Sequence, residues 1–315
     1  MKFLKWQQLS DMKGKIKIGT RSSQLALWQA EQVEKILEDN DYQTEIVPIK
    51  SEGDIDLHSP LYEMGSVGVF TRYLDAAVLS GKVDIAVHSM KDVPTILARG
   101  LKQAAVLKRG PVKDLLLYRK DKTFLDDREN PCLIATGSIR RKAQWLNRYP
   151  KSEVVGLRGN VNTRLKKLEE SNWDGALFAA AGLERIHLRP EKSVELDWML
   201  PAPAQGAIMV VCRENDSFCL DACSLMNDEE TALCTAVERD FLKALMGGCA
   251  TPISALAQIE NGRMFFQGNV LSPDGKQKAS IKKDASLDNA SGLGTEAGNE
   301  LMAGEGRQIV ELLNQ

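Results

Sequence analysis

The sequence lacks a hydrophobic run long enough to cross a membrane, and it lacks a strong charge of either sign. No apolar stretch approaches the roughly 20 residues of a transmembrane helix, and the net charge of the 315 residues is only -2. A chain this close to neutrality has no overall attraction for nucleic acid or an anionic membrane surface. We therefore expect neither as a partner, and any anion-binding role must come from locally clustered cations. Residues 1–15 show no apolar h-region and no cleavage site, so no signal peptide is predicted.

Metal-binding patterns are also missing. The chain has six cysteines and three histidines, but no C-x-x-C pair occurs and the histidines lie far from the cysteines in sequence, so we predict no metal site. Buried thiols in a reducing cytosol are the favoured interpretation for five of the six, which indicates a cytoplasmic protein. The five are Cys132, Cys212, Cys219, Cys223 and Cys234.

Cys249 differs from the other cysteines in its surroundings. It follows Gly247 and Gly248 directly after a predicted helix, which leaves its approach open. Nucleophilic or ligating cysteines need such access, whereas inert packing cysteines do not. On the residues alone, a chemical role and ordinary packing are equally supported.

The order of predicted strands and helices indicates an α/β fold built from two αβ lobes and a smaller third unit. A β-α-β-α-β succession from Lys15 to Val87 predicts a mostly parallel sheet with helices on its faces. The same order recurs from Leu115 to Ile186, after a linker at Lys108–Asp114. Two prolines and a glycine in Met199–Ala207 predict a hinge, and the strand at Ile208–Cys212 is expected to return to the first sheet.

Length and these junctions together predict three domains. At roughly 150 residues per domain two are expected, with three smaller ones possible. We assign residues 15–108 with 207–224 to domain 1, residues 114–200 to domain 2, and residues 229–315 to domain 3. Domain 3 is predicted to be α+β, with a helix capped by Asn227 and Glu230 followed by hairpin strands. Asp284–Gly298 is predicted to be a loop and Glu300–Asn314 the final helix.

Arginines recur where a predicted strand leads into a helix. A helix N-terminus offers free N–H groups and a partial positive charge, and a guanidinium adds a fork of donors that matches carboxylate or phosphate. Solvated or surface-paired arginines are the commoner situation, but helix N-termini normally favour acids. The repetition in two αβ units indicates a ligand with several negative charges. The arginines are Arg21, Arg140, Arg141, Arg158 and Arg164.

The stretch Val83–Pro94 carries a candidate catalytic carboxylate. Its first half is typical of a short buried strand, and its second half changes abruptly to His88, Ser89, Lys91 and Asp92 before the proline. Strands that end in polar clusters often place side chains at the mouth of a cleft. On this stretch alone a solvated turn remains the favoured interpretation.

Five stretches, taken together, resemble one family closely, and the resemblance spans about Lys15 to the C-terminus. They look like the motifs of the porphobilinogen deaminases, also called hydroxymethylbilane synthases. The stretches are Gly19–Ala26, Val87–Pro94, Gly137–Arg141, Leu157–Leu165 and Gly247–Pro252. The resemblance implies two lobes like those of periplasmic binding proteins plus a smaller C-terminal domain. It also implies a cytoplasmic, monomeric transferase of porphyrin and heme biosynthesis.

The resemblance further implies a dipyrromethane cofactor held by a thioether to Cys249. Four porphobilinogen units would be added in turn, each losing ammonia, and the linear tetrapyrrole released by hydrolysis. Since each pyrrole carries an acetate and a propionate, the growing chain is a polyanion, which explains many arginines in a nearly neutral protein. A fixed carboxylate, Asp92, would stabilise the cationic azafulvene left by deamination.

The residue roles implied by the resemblance fall into three sets. The catalytic set is Asp92, Lys91 and Arg21. The cofactor-binding set is Cys249, Asp92, Lys91, Ser89, Ser138, Arg140, Arg141, Arg158, Arg164 and Arg185. The substrate-binding set is Arg21, Ser23, Phe70, Arg158, Arg164, Arg185 and Gln205.

The sequence departs from the family at two positions. Val67 stands where many bacterial members have lysine, and Ala204 where glycine is usual, which is expected to stiffen the hinge. Two other functions are weighed against the enzyme: a non-catalytic two-lobed anion-binding protein, and a nucleic-acid-binding protein. The first needs neither Asp92 nor an accessible Cys249, and the second is disfavoured by the charge of -2.

Overall fold

The computed structural model describes residues 13–50, 71–245 and 251–313, which form three sheets with helices packed on them. Two sheets have five strands each and mixed direction, and the third has three antiparallel strands. This arrangement confirms the predicted fold class of two αβ lobes and a smaller α+β unit. Within the described ranges, no helix combines the length and the apolar composition that a bilayer crossing requires.

Lobe 1 is the five-stranded sheet in the order β2-β1-β3-β10-β4 with its helices. Strands β1, β2 and β3 are parallel, and β10 lies antiparallel between β3 and β4. Both faces of the sheet are covered, so β1 buries Ile16 and Ile18 completely. The elements are β1 (Gly14–Thr20), α1 (Gln24–Glu38), β2 (Tyr42–Pro48), α2 (Arg72–Leu79), β3 (Ile85–Ser89), β4 (Leu101–Val106), β10 (Ile208–Arg213) and α6 (Ser217–Ser224).

The return of the chain to the first sheet at β10 is confirmed. Its five residues from Ile208 to Cys212 are all buried and pair with β3 over Ser89 to Ile85. Strand β4, at the sheet edge, was not predicted. The polar, glycine-containing composition of Ser51–Gly68 predicts a loop, and this stretch lies outside the described residues.

Lobe 2 is the five-stranded sheet in the order β7-β6-β8-β5-β9. Strands β6, β7 and β8 are parallel, and β5 is antiparallel to β8 and β9. Two apolar clusters lie on the two faces of this sheet, one around Phe178 and one around Trp145. The elements are β5 (Asp114–Tyr118), β6 (Leu133–Ala135), α3 (Ile139–Arg148), β7 (Glu153–Val155), α4 (Val161–Glu170), β8 (Gly175–Ala179), α5 (Ala180–Glu184) and β9 (Ser193–Glu195).

The third unit packs three helices on one face of an antiparallel sheet. Burial alternates along β12, which is typical of a sheet with one solvated face. Asn261 and Gly262 both have positive φ, 50° and 73°, as a two-residue hairpin turn of the primed type requires. The elements are α7 (Glu229–Ala244), β11 (Ile253–Glu260), β12 (Arg263–Leu271), β13 (Lys278–Ser286), α8 (Leu293–Ala303) and α9 (Gly306–Leu313).

Two predictions in the third unit are wrong. The predicted loop at Asp284–Gly298 is the end of β13, a 3₁₀ turn at Leu287–Gly292 and the start of α8, and the last helix is two helices. Small residues occur there because α8 packs very closely on α7: a Cβ on Gly294 would lie 1.9 Å from the carbonyl oxygen of Val237. The predicted cap is also wrong, since Asp228 caps α7 by accepting from the Thr231 N–H.

The chain crosses between the lobes twice, and the crossings lie side by side. The Gly110 N–H donates to the Gly206 carbonyl at 3.0 Å. Glu238 of α7 is fully buried beneath them and accepts from both Nη atoms of Arg109, at 2.6 and 2.9 Å. It also accepts from the backbone N–H groups of Ala204 and Ala257. One carboxylate therefore joins the linker, the hinge and the third unit.

Candidate active site

The turn that carries Asp92 begins where β3 ends. A single 3₁₀ turn, Met90–Asp92, follows Ser89 and is closed by the Val93 N–H donating to the Met90 carbonyl at 3.1 Å. The Met90 N–H donates to the carbonyl of Ala207 in the hinge. The buried side chains of Met90 and Val93 anchor the turn, and Asp92 between them stays half-buried.

A small pocket adjoins this turn at the carboxyl ends of the parallel strands of lobe 1. This edge is where ligands bind open α/β sheets. Three of the predicted site residues, Arg21, Ser89 and Asp92, line this pocket. The structure adds Gln29, whose Nε2 donates to Ser89 Oγ at 2.9 Å, and His88. Gln29 lies within a helical repeat, which gave no signal of a site.

His88 is a buried polar residue that faces this pocket. Burial, followed by the nearby charge of Arg21, lowers the pKa of His88 to about 4. The imidazole is therefore neutral at physiological pH. Its Nε2 is buried without a hydrogen-bond partner among the parts of the chain that the structure describes. The polar break after Val87 included His88, but the residue was not among the predicted site residues.

On the lobe 2 side, Arg140 and Arg141 form ion pairs with one buried carboxylate. Arg140 Nη2 lies 2.7 Å from Asp114 Oδ2, and Arg141 Nη2 lies 2.8 Å from Asp114 Oδ1. Burial alone would raise the pKa of Asp114, but the two guanidinium charges hold it at about 2. Asp114 explains why two cations occupy the first turn of α3, a position where acids are usual.

Gln205 connects this pair to the Asp92 turn. Its Nε2 donates to Asp114 Oδ1 at 2.9 Å and to the Val112 carbonyl, and its Oε1 accepts from Lys91 Nζ at 3.3 Å. Burial, followed by the charge of Arg141, lowers the pKa of Lys91 to about 8. Hydrogen bonds thus connect Lys91, the neighbour of Asp92, through Gln205 of the hinge to Asp114 of lobe 2.

Arg164 is sensitive to charges from both lobes. Its Nε donates to the Gly159 carbonyl at 2.7 Å. Burial and the charges of Arg141, Arg158 and Arg21 together lower the pKa of Arg164 to about 10, with the charge of Asp92 acting in the opposite direction. Like charges gathered in a buried place are relieved by an anionic ligand. The arrangement therefore fits a polyanion.

The remaining predicted residues lie at helix ends or at the hinge. Arg185 Nη2 donates to the Gly206 carbonyl at 2.6 Å, and its guanidinium lies over the Trp28 ring, 5.4 Å from the centroid. Burial lowers the pKa of Arg185 to about 10. Ser23 and Ser138 cap α1 and α3 by accepting from backbone N–H groups. Phe70 and Cys249, and also Val67, lie outside the described residues.

The five cysteines interpreted as buried thiols are buried and free of disulfides: Cys132, Cys212, Cys219, Cys223 and Cys234. Burial raises the pKa of Cys212, Cys219, Cys223 and Cys234 well above the ordinary thiol value. At neutral pH these thiols are protonated and unreactive.

Comparison with known proteins places the whole chain in one group. Residues 16–221 match the family model "Porphobilinogen deaminase, dipyromethane cofactor binding domain", and residues 232–303 match "Porphobilinogen deaminase, C-terminal domain". The porphobilinogen deaminase of Trichlorobacter lovleyi is 38% identical over 94% of this chain and 96% of that protein. The porphobilinogen deaminase of Syntrophomonas wolfei is 40% identical over 94% of this chain and 97% of that protein. The chloroplastic porphobilinogen deaminase of Oryza sativa is 40% identical over 92% of this chain and 84% of that protein.

Similarity to solved structures is more distant. An ancestral cationic amino acid solute binding protein is 12% identical, covers 71% of this chain and 92% of its own, and has a TM-score of 0.44. The L-cystine solute receptor of Neisseria gonorrhoeae is 14% identical, covers 78% and 98%, and has a TM-score of 0.39.

Two family models in chain order and near-complete coverage by relatives agree with one another. The chain belongs to the porphobilinogen deaminase family, whose cofactor is dipyrromethane.

Proposed function

We propose that Asp92 is the catalytic carboxylate of this enzyme and that arginines of both lobes hold the carboxylates of its substrate and cofactor. The enzyme is a transferase of porphyrin biosynthesis that deaminates porphobilinogen and joins four units into the linear tetrapyrrole hydroxymethylbilane. The observation that carries the proposal is the pocket beside the Asp92 turn, where Arg21 and Asp92 lie together. Hydrogen bonds of Gln205 to Lys91 and to Asp114 connect this turn with the arginines of lobe 2.

Asp92 is suited to stabilise a cation. Loss of ammonia from porphobilinogen leaves a positively charged azafulvene, and a fixed carboxylate beside its pyrrole N–H lowers the energy of that charge. The turn fixes Asp92 through backbone hydrogen bonds to Met90 and the hinge. Lys91, whose pKa is lowered to about 8 by burial, adds a proton donor next to it.

The arginines divide into two groups by their existing contacts. Arg21, Arg158, Arg164 and Arg185 are proposed to bind the acetate and propionate groups of substrate and cofactor, with Ser23, Ser89 and Phe70 as additional contacts. Arg140 and Arg141 are already paired with Asp114, so they present only their remaining donors to the cofactor, together with Ser138. Gln205 contributes by hydrogen bonding to both Lys91 and Asp114, which fixes their positions relative to each other.

The half-buried arginines of the two lobes fit a dipyrromethane, which carries four carboxylates. We propose that Cys249 holds this group by a thioether. When bound, it supplies the primer to which the first porphobilinogen is joined. The residues of the chain then orient the carboxylates and stabilise charge on the incoming unit.

We also propose a cytoplasmic monomer with the domain boundaries predicted from the sequence, 15–108 with 207–224, 114–200, and 229–315. Free buried thiols are typical of proteins in a reducing compartment. Light scattering on the purified protein should give the mass of one chain, 34.8 kDa plus cofactor. A concentration-independent dimer would contradict the monomer.

Intact mass tests the proposal directly. The purified protein should be heavier than its sequence by one dipyrromethane, and Cys249→Ser should remove that increment. Limited porphobilinogen should then produce a ladder of one to four added pyrroles. Active protein with the bare sequence mass would contradict the tether, and a ladder absent at every substrate concentration would favour a non-catalytic anion-binding protein.

Asp92→Ala should fold and retain its cofactor mass when loaded with preformed hydroxymethylbilane, yet lose nearly all turnover. Asp127→Ala is the matched control, because Asp127 is an exposed loop aspartate whose side chain accepts from the nearby Glu129 N–H. Full activity in Asp92→Ala would remove this residue from the mechanism.

A further inference from the structure

Arg239 of the third unit contacts the backbone on both sides of Asp92. Its Nη1 donates to the Val93 carbonyl at 2.9 Å and, more weakly, to the Met90 carbonyl at 3.5 Å. Its Nη2 donates to the Pro94 carbonyl. These three carbonyls belong to residues 90, 93 and 94, which flank the catalytic residue.

The turn needs a donor from outside lobe 1. The chain leaves the sheet at Ser89, so these carbonyls have no ladder partner, and Pro94 has no N–H with which to continue a turn. A guanidinium carries five donors in a rigid fork and satisfies several acceptors at once. The backbone bonds of the turn that the structure describes run from the Val93 N–H to the Met90 carbonyl at 3.1 Å and from the Met90 N–H to the Ala207 carbonyl at 3.0 Å. Neither of them uses the carbonyl of Val93 or Pro94. The conformation of the turn therefore depends on a side chain from another unit.

The helix that carries Arg239 is itself fixed in place. The preceding residue, Glu238, is fully buried and binds Arg109 of the linker and the Ala204 N–H of the hinge. Helix α7 is further attached to the linker because the Arg109 N–H donates to Thr231 Oγ1 at 3.1 Å. Consecutive residues of one rigid helix thus bind the lobe crossings and the Asp92 turn.

We propose that Arg239 is a positioning residue for Asp92, through which the third unit sets the place of the catalytic carboxylate. The proposal rests on the catalytic role proposed above for Asp92. In the sequence, Cys249 follows Arg239 by ten residues. The third unit, which carries the cofactor cysteine Cys249, therefore also orients Asp92, the carboxylate proposed to act at the chain built on the cofactor.

The test replaces the guanidinium by an apolar chain of similar reach, Arg239→Met. We expect kcat to fall about 10- to 100-fold, the usual effect of a small misplacement of a catalytic group, with KM for porphobilinogen changed less than threefold. The cofactor mass should be unchanged. Should this variant not fold, Arg239→Gln, which keeps one amide donor, is measured by the same criteria.

Arg213→Met is the matched control. Arg213 also donates from one Nη to two backbone carbonyls of lobe 1, those of Val78 and Val83, but it lies away from the Asp92 turn. It should lower the melting temperature and leave kcat within twofold of wild type. Arg239→Met with the kcat of wild type would overturn the proposal, as would a fall in kcat of the same size in Arg213→Met.

A double variant, Arg239→Met in the Asp92→Ala protein, distinguishes the positioning role of Arg239 from the catalytic role of Asp92. If Arg239 acts through Asp92, Arg239→Met should cause no further loss when added to Asp92→Ala, measured as the slow residual pyrrole ladder. A full additive loss in the double variant would show that Arg239 acts elsewhere. Undiminished activity of Asp92→Ala alone would instead overturn the catalytic role of Asp92.

Discussion

Replacing Asp114 by asparagine should destabilise the protein strongly, because it leaves two buried guanidinium groups without their counter-charge. The Asp114 carboxylate has no exposed surface, and its partners Arg140 and Arg141 are 4% and 5% exposed. The pKa of Asp114, held at about 2 instead of 3.8, corresponds to a favourable interaction on the order of 2 kcal/mol. Removing one partner of a buried pair costs more, about 3–5 kcal/mol, since the remaining charges stay desolvated.

The assay is urea unfolding followed by near-UV and far-UV circular dichroism, with Asp284→Asn as the control. Asp284 pairs with Arg263 at the surface, where both side chains are about half exposed, and its loss should cost at most about 1 kcal/mol. We expect the midpoint to fall far more for Asp114→Asn than for the control. Equal midpoints would refute the reasoning that Asp114 neutralises the pair.

The same variant tests whether Arg140 and Arg141 contact the cofactor. Carboxylates of the dipyrromethane beside these arginines would replace part of the lost charge. The destabilisation by Asp114→Asn should then be larger in the cofactor-free Cys249→Ser protein than in the loaded protein. The same loss in both would place the cofactor carboxylates away from this pair.

Three further predictions concern single positions. Burial lowers the pKa of His88 from 6.5 to about 4, so between these pH values the unfolded state binds a proton and the folded state does not. The free energy of unfolding should therefore fall by up to about 3 kcal/mol as the pH drops from 6.5 to 4. If His88→Gln showed the same dependence of stability on pH as the wild type, this prediction would be contradicted. Gly294→Ala should lower the melting temperature by several degrees, because the new Cβ would lie 1.9 Å from a carbonyl oxygen. Gly292→Ala should leave the melting temperature unchanged, because its Cβ would enter open space. Equal melting temperatures for the two variants would disprove the close packing. Ala204→Gly should stabilise the protein by about 1 kcal/mol, because Ala204 has a left-handed φ of 60°. A lower free energy of unfolding for this variant, measured by chemical denaturation, would contradict the strain at Ala204.

The fold was largely predictable because its elements follow local patterns. Helix α7 shows Val237, Phe241 and Leu245 at four-residue steps, and all three are buried. Strand β9 was missed because three residues at a sheet edge carry no periodic signal. Helix α8 was missed because glycines that permit close helix packing look like a loop in composition.

The candidate site was predictable where it consists of motifs and not where it consists of long-range partners. Asp92 and Arg21 stand in stretches that resemble the family, and the structure brings them to one pocket. Asp114 gave no signal, since a lone aspartate at a linker end looks like any solvated acid. Arg239 and Glu238 were missed because charged residues in a helix usually face water, and only tertiary contacts show otherwise.

The insertion of β10 between β3 and β4 has a consequence for how the chain is made. The sheet of lobe 2 draws only on residues 114–195, so it is complete once that stretch has left the ribosome. The sheet of lobe 1 needs a central strand at 208–213, although its first strand is synthesised almost 200 residues earlier. The lobe that begins the chain is therefore finished second, against the usual N-to-C order of domain folding. Until then the facing edges of β3 and β4 have no neighbour, and the nascent protein must keep them from pairing with other chains.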